Sequence, residues 1–192
     1  MRLYDISQEV FSSAVYPGDP VPARQQLCAM EQGEVYNLSA FSMCAHNGTH
    51  VDAPAHFIAD GSTVDQIPLE RLVGPARVIT CKGEITADTA RAILADGGEG
   101  SKRLLLRGGV VSDAAAKVLA DGGVWLVGSD TQSVGDENAP ASVHRILLSA
   151  EVVLLEGLRL AGVADGTYFL FAAPLKLGGC EGAPCRAILA EM

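Results

Sequence analysis

Apolar residues recur along this chain either in short strand-like runs or at helical spacing, and strand-like and helix-like segments alternate. Short apolar runs at Ala76–Cys81, Arg103–Arg107 and Val124–Gly128 have the length and the flanking residues of buried strands. Between them, Thr86–Leu94 is predicted to be an amphipathic helix capped by Thr86 or Asp88, and Ser112–Ala120 to be a second helix ended by Asp121–Gly123. Strands interleaved with helices predict an α/β fold with a mixed sheet.

The rest of the chain continues this pattern. Further strands are predicted at Leu3–Ile6, Asn37–Cys44, Glu151–Leu158, Tyr168–Ala172 and Cys185–Leu189. A loop with a short helix is predicted at Thr63–Leu69, a short helix at Ala141–Ser149 and a turn at Tyr16–Pro20. No internal repeat, low-complexity tract or linker divides the sequence, so residues 1–192 are predicted to form one domain.

The composition argues against some classes of partner and indicates a cellular compartment. A net charge of −9 argues against a nucleic-acid partner, which would require a basic patch. No apolar run approaches the ~18 residues of a membrane-spanning helix, and the first residues lack the apolar region of a signal peptide. We therefore expect no membrane partner and a cytoplasmic location, with reduced and mostly buried thiols at an odd number of dispersed cysteines: Cys28, Cys44, Cys81, Cys180 and Cys185.

Three of the four histidines lie within eleven residues. His46, His50, Asp52 and His56 form the pattern H-x-x-x-H-x-D-x-x-x-H, and imidazole and carboxylate are favoured ligands of zinc and manganese. Glycine, β-branched residues and a proline within the segment disfavour a helix. In an extended segment with period two, His46, His50 and Asp52 would share a face. The pattern predicts the metal site of a hydrolase.

Two later residues are further candidates for this site. His144 is the only histidine outside the segment, and Glu156 lies in the apolar run Val152–Leu158. An unpaired carboxylate is costly to bury, and a metal ion would remove that cost. The alternative is that Glu156 faces solvent or an arginine at the end of a strand.

The segment His46–Phe57 resembles the H-x-G-T-H-x-D-x-P-x-H-F signature of the cyclase family of metal-dependent hydrolases, which includes kynurenine formamidases and isatin hydrolases. The likeness continues nearly from end to end. It includes the elements Tyr16–Asp19, Gly128–Thr131, His144 through Leu158, Pro174–Lys176 and Ala183–Ala187.

The resemblance implies a site for two divalent ions, zinc with manganese as the alternative, in which one carboxylate bridges the ions. The implied ligands are His46, His50, Asp52, His144 and Glu156, and His56 is the implied catalytic acid/base. The resemblance also implies a swivelling β/β/α-type domain and a homodimer or higher oligomer. Tyr16 and Phe57 are candidate aromatic walls for the substrate, and Asp130 is expected to orient a ligand or a loop rather than bind metal.

The expected chemistry is hydrolysis of an amide. A metal ion lowers the pKa of bound water towards ~7, and the resulting hydroxide would attack a polarised carbonyl while His56 passes a proton to the leaving nitrogen. The first candidate substrate is N-formyl-kynurenine. The alternatives are another amide or lactam such as isatin, or a non-catalytic protein that binds metal or a small molecule.

One segment departs from the family pattern. Formamidases of the family carry a longer, aromatic-bearing segment after the strand that ends here at Arg107. This chain runs directly into Gly108–Ser112. We expect a shorter loop that leaves the pocket more open or lined differently.

Overall fold

The computed structural model describes residues 1–191, which are arranged around a mixed β-sheet. The strands are β1 Leu3–Asp5, β2 Ala23–Cys28, β3 Leu38–Ser42, β4 His50–Asp52, β5 Val73–Ile85, β6 Arg103–Val111, β7 Leu126–Ser129, β8 Val153–Glu156, β9 Gly166–Phe171, β10 Gly182–Pro184 and β11 Ile188–Ala190. The α-helices are α1 Leu69–Leu72, α2 Ala87–Asp96, α3 Asp113–Asp121 and α4 Ala141–Ser149, and 3₁₀ turns span Met30–Gln32, Pro54–His56 and Val64–Gln66.

Nine of the strands form one sheet in the order β1-β11-β9-β5-β6-β7-β8-β4-β10. Its centre, β5 to β8, is parallel, and the strands on both sides of the centre are antiparallel to their neighbours. Strands from both ends of the chain pair directly, since Leu3 of β1 lies opposite Ala190 of β11. The prediction of a single α/β unit with a mixed sheet is confirmed.

The sheet separates two apolar cores because its side chains alternate between faces. On β6, Leu105 packs in one core, whereas Leu104 and Leu106 pack in the other. The second core also receives the buried faces of α2, α3 and α4, including Leu119 and Leu147. The helices therefore cover one face of the parallel centre, and α4 packs against β8.

The helix signals in the sequence are accurate. α4 spans the predicted residues Ala141–Ser149. Thr86 caps α2, where its hydroxyl accepts a hydrogen bond from the Thr89 backbone N–H, and Ser112 caps α3 in the same way with Ala115. Each side-chain oxygen satisfies a backbone donor that the first helical turn leaves free.

The predicted loop after Arg107 is wrong. β6 continues through Gly108 and Gly109 to Val111, and its last three residues pair with Gly83–Ile85 of β5. Because β5 is thirteen residues long, it offers a partner to this extension of β6. The segment does not line the cavity described below, and its expected effect on how open that cavity is stays a prediction.

The last predicted strand, Cys185–Leu189, is also only partly right. The structure has β10 before it and β11 at its end, and these two strands lie at opposite sides of the sheet. The residues between them cross from one side to the other, held by a bond from Cys185 N–H to Thr49 O and one from Ile6 N–H to Ala187 O. Alternation within the sequence does not reveal such a crossing.

The predicted strand Asn37–Cys44 is present as β3, but it lies outside the main sheet. It pairs only with β2, and the side chains of this hairpin are exposed apart from the half-buried Cys28. Apolar side chains exposed on and beside the hairpin are Val21, Leu27, Met30, Val35, Tyr36, Leu38 and Phe41.

The cysteines are less buried than expected. Cys81 is buried, whereas Cys28, Cys44, Cys180 and Cys185 are half-buried, and all five are unpaired thiols. Of the helices within residues 1–191, none has the combined length and apolar character needed to cross a membrane.

Candidate metal centre and active site

The histidine-rich segment forms the short strand β4 with a turn before it and a 3₁₀ turn after it. His50 and Asp52 lie on β4, and the 3₁₀ turn Pro54–His56 ends the extended conformation. His46 lies in the preceding turn rather than on the strand. The expectation that period two places all three ligands on one face is therefore right for His50 and Asp52, and His46 reaches them through the turn.

Sheet register brings Glu156 to the same place. β4 and β8 are antiparallel, with His50 opposite Glu156 and Asp52 opposite Leu154. Directly opposed residues lie on one face of a sheet, and Leu154 packs in the helix-side core. His50, Asp52 and Glu156 therefore share the face that α4 covers, while Val51 points into the opposite core.

Helix α4 supplies the fourth histidine. His144 lies in its first turn and is buried against this face. Its Nε2 lies 3.5 Å from Asp52 Oδ2 and 3.2 Å from Glu156 Oε1. His144 and Asp52 thus lie side by side, although they are almost a hundred positions apart in the chain.

The potential ligand atoms form two groups that share Asp52. The outer group is His46, His50 and Asp52, and the inner group is Asp52, His144 and Glu156; within each, the ligand atoms lie within 4.8 Å of one another. Asp52 Oδ1 is 2.8 Å from His46 Nδ1 and 3.3 Å from His50 Nε2. Asp52 Oδ2 is buried and has no hydrogen-bond partner.

Backbone carbonyls fix the rings of two of these histidines. His50 Nδ1 lies 3.0 Å from Gly48 O, and His144 Nδ1 lies 2.9 Å from Pro140 O. A carbonyl only accepts, so each Nδ1 carries a proton and each Nε2 faces the carboxylates. Glu156 Oε1 accepts a bond from Val134 N–H at 2.8 Å, which orients its carboxylate.

The backbone of the segment is tied closely to the end of β8. Gly157 O accepts bonds from Thr49 Oγ1 at 2.7 Å and from Gln8 Nε2 at 2.8 Å. A Cβ at position 157 would lie 2.3 Å from Gly48 O, and its φ is +68°. Only glycine permits this approach without displacing the backbone.

The buried imidazoles and carboxylates of the site shift one another's pKa values. Burial alone lowers the pKa of each imidazole, but Asp52 and Glu156 outweigh it and raise the pKa of His144 to about 10 and that of His50 well above its usual range. Burial alone raises the carboxyl pKa of Asp52, but the imidazoles of His144, His46 and His50 that face it hold it well below its usual value. Two buried carboxylates therefore keep their negative charge and require positive charge nearby.

His56 differs from the other histidines. Its ring stacks on His46 with the centroids 4.0 Å apart, and it contacts Phe57 at 4.6 Å. Burial lowers the pKa of His56, so its imidazole is neutral at pH 7. It lies beside both groups and belongs to neither.

A cavity of about 270 Å³ opens beside these residues. Tyr16 and Phe57, the two expected aromatic walls, both line it, and the Tyr16 hydroxyl donates to Glu137 O at 2.8 Å. Cys44 also lines it. Asp130 does not line this cavity, and its Oδ1 accepts a bond from Gly108 N–H at 2.8 Å, so it orients the backbone of β6.

Glu181 is a site residue that sequence reasoning missed. Its Oε1 lies 3.2 Å from His46 Nε2, although the two residues are 135 positions apart. The only signal in the sequence is its place immediately before Gly182 and the Ala-Pro-Cys-Arg-Ala element.

The residues present fit divalent metal. The set of imidazoles and carboxylates is one that zinc, manganese and iron accept. Asp52 belongs to both groups, and its Oδ2 has no hydrogen-bond partner among residues 1–191, so a cation bound there would satisfy it.

Similarity to known proteins agrees with this geometry. A family model described as "Putative cyclase" matches residues 4–136. A kynurenine formamidase of Salinibacter ruber (strain DSM 13855 / M31) is 36% identical over 208 residues, covering 100% of this chain and 98% of that protein. The chain belongs to the cyclase family.

Solved structures extend the relationship to the fold of this cyclase-family chain. A potential metal-dependent hydrolase with cyclase activity has a TM-score of 0.84 and 33% identity, covering 98% of this chain and 96% of that one. An isatin hydrolase bound to thioisatinate has a TM-score of 0.85 at 21% identity, covering 97% and 91%, and so shares the fold. The alignment with the formamidase is longer than the 192 residues of this chain, so that relative carries segments that this chain lacks.

Proposed function

We propose that this chain is an arylformamidase that hydrolyses N-formyl-kynurenine to kynurenine and formate. The observation that carries the proposal is the pair of ligand groups joined by Asp52, with neutral His56 beside them and a cavity in front. The relationship to a kynurenine formamidase over the whole chain supports the choice of substrate. That the chain is a hydrolase acting on carbon–nitrogen bonds is confirmed by the same relationship.

We assign the ligands as the sequence predicts, with the outer and inner groups each holding one divalent ion. Zinc is the first candidate and manganese the second. When bound, such ions make water acidic enough to ionise near neutral pH and polarise a carbonyl oxygen. Asp52 belongs to both groups and would bridge them.

The side chains of the chain carry the remaining steps. Neutral His56 accepts the proton of the attacking water and returns it to the nitrogen as the C–N bond breaks, because an amine leaves poorly as an anion. The stacked His46 ring holds His56 in place. Phe57 and Tyr16 present aromatic surface to the anilide ring.

The alternative substrate is a cyclic amide such as isatin. The fold shared with an isatin hydrolase supports keeping this candidate. A protein that only binds metal or a small molecule is the third candidate, and the presence of His56 beside the ligand groups weighs against it.

The test is hydrolysis by purified protein that has been chelated and then reloaded with zinc or manganese. N-formyl-kynurenine and isatin are supplied in parallel, and metal content is measured by elemental analysis. Turnover of the formamide that disappears on chelation and returns with one metal supports the proposal. Absence of formamide turnover by protein holding two ions contradicts it, and turnover of isatin under those conditions would identify the alternative.

We further propose that residues 1–192 act as one domain in a homodimer or higher oligomer. The β2–β3 hairpin supports this, because an isolated two-stranded hairpin is at best marginally stable and this one exposes a row of apolar side chains. Light scattering coupled to size exclusion measures the oligomeric state. A cytoplasmic location stays a prediction, supported by the five unpaired thiols.

A further inference from the structure

His46 is held differently from the other histidines of the ligand groups. His50 and His144 donate from Nδ1 to backbone carbonyls and turn Nε2 inward. His46 does the reverse, since its Nδ1 faces Asp52 at 2.8 Å and its Nε2 faces Glu181 Oε1 at 3.2 Å. The outward partner of His46 is therefore a side chain, which a substitution can remove.

The His46 ring has little freedom apart from its choice of proton position. One face stacks on His56. A Cβ at position 182 would lie 2.7 Å from His46 Cε1 and 3.2 Å from its Nε2, so the backbone of Gly182 closes another side. The two nitrogens contact one carboxylate each, and geometry alone does not decide which of them carries the proton of a neutral ring.

Glu181 itself is anchored beside the ligand segment. It directly precedes β10, and its carbonyl accepts a bond from Ala53 N–H at 2.8 Å. β10 pairs with β4, with Gly182 opposite Asp52. The side chain of Glu181 is 45% exposed, so its carboxylate sits at the solvent side of the outer group, whereas Asp52 is buried within it.

We propose that Glu181 is a positioning residue for the outer group: it accepts the Nε2–H of His46 and so leaves the Nδ1 lone pair directed at the ion. This rests on the two-metal site of the proposed function. A neutral imidazole has one N–H, so a partner that fixes the proton on one nitrogen makes the other nitrogen the ligand. A carboxylate partner also raises the basicity of the ligand nitrogen, and removing such a partner typically costs ~10–100-fold in metal affinity.

The proposed role of Glu181 predicts different effects on the two groups when this residue is removed. Of the described residues in the two groups, the Glu181 carboxylate bonds to His46, which belongs to the outer group alone. Its removal should weaken one ion and leave the other unchanged. A general loss of structure would weaken both.

The test compares zinc binding by wild-type protein with that by Glu181→Ala and Glu181→Gln, using a chromophoric chelator as competitor. Glu99→Gln removes the same charge from an exposed loop and serves as the matched control. We expect Glu181→Ala to weaken one binding step ~10–100-fold and to leave the other unchanged. Glu181→Gln should lose less, because its amide oxygen still accepts the Nε2–H.

A second measurement shows which ring nitrogen of His46 carries the proton. In zinc-loaded protein with ¹⁵N-labelled histidine, long-range correlation spectra show which ring nitrogen carries hydrogen. We expect the N–H of His46 at Nε2 and those of His50 and His144 at Nδ1, which neither activity nor overall stability reports.

The outcomes are distinct. Two unchanged binding steps in Glu181→Ala, or a His46 proton on Nδ1 in the wild type, would overturn the role of Glu181 and leave the two-metal site standing. Equal weakening of both steps would also overturn it. A wild-type protein that binds no zinc would overturn the two-metal site and, with it, this inference.

Discussion

The outer and inner ligand groups use the same kinds of residue but are built in different ways. The outer group comes from seven neighbouring positions, 46–52, and one of its histidines is only half-buried. The inner group combines β4, α4 and β8 and is buried throughout. Its ligands are oriented by backbone groups, at Pro140 O and Val134 N, whereas His46 depends on the side chain of Glu181.

This difference shows what each group depends on. The inner group is fixed by the register of β4 against β8 and by the packing of α4 on the core. The outer group is fixed by a turn and by contacts at its solvent side. Substitutions should therefore be able to affect the outer group alone, while the shared Asp52 couples the two.

The largest effect is expected from Asp52→Asn. The variant removes the charge that both groups share and leaves three imidazoles facing a neutral amide. We expect metal content to fall from two ions towards none and turnover to fall to background, measured by elemental analysis and by formamide hydrolysis. Asp60→Asn, at an exposed position, is the control; two ions retained by Asp52→Asn would refute the shared carboxylate.

Glu156→Gln should break only the inner group. The amide oxygen of glutamine can still accept the bond from Val134 N–H, so the backbone stays in place. We expect one ion to remain in the outer group and turnover to fall by more than ~10²-fold, beyond the usual cost of losing a residue that only supports a ligand. Chelator competition that still shows two equal high-affinity ions would contradict the separation into groups.

His56→Ala should leave both groups intact and remove the proton transfer. His56 stacks on His46 but belongs to neither group. We expect turnover to fall ~10²–10⁴-fold with two ions still bound, measured by kinetics and elemental analysis on the same sample. Loss of an ion from this variant would show that His56 is a ligand instead.

Sequence patterns predict the outer group better than the inner one for a physical reason. His46, His50 and Asp52 are close in the chain, so spacing alone places them together. His144 and Glu156 gave only an isolated histidine and a costly carboxylate in an apolar run. Their meeting depends on strand order and on the helix that covers the sheet, and the family resemblance, not periodicity, joined them to the outer group.

The fold likewise has elements that the local sequence predicts and elements that it does not. α4 and the Thr86 cap of α2 follow from local signals, and the structure confirms them. A three-residue strand such as β10 carries too little alternation to be recognised, and the extension of β6 depends on a partner elsewhere in the chain. The sequence does not predict Glu181 as a site residue, because its contact with His46 exists only once β10 pairs with β4.

The smallest change that should still distinguish the groups is Gly182→Ala. Its added methyl group would lie 2.7 Å from His46 Cε1 and 2.9 Å from Val51 O, so the ring must shift relative to Asp52 and the backbone of β4 must give slightly. We expect the outer ion to bind no more than ~10-fold more weakly, the lower end of the cost of disturbing a ligand's support, with the inner ion unchanged in chelator competition.

Gly178→Ala is the matched control for that change, because a Cβ there meets only Asp65 Oδ2 at 3.9 Å. The control should bind both ions as the wild type does. If Gly182→Ala weakened both ions equally, the methyl group would be displacing the pairing of β10 with β4 rather than the ring. Because β4 carries the Asp52 that both groups share, the two groups would then depend on a single support at the edge of the sheet.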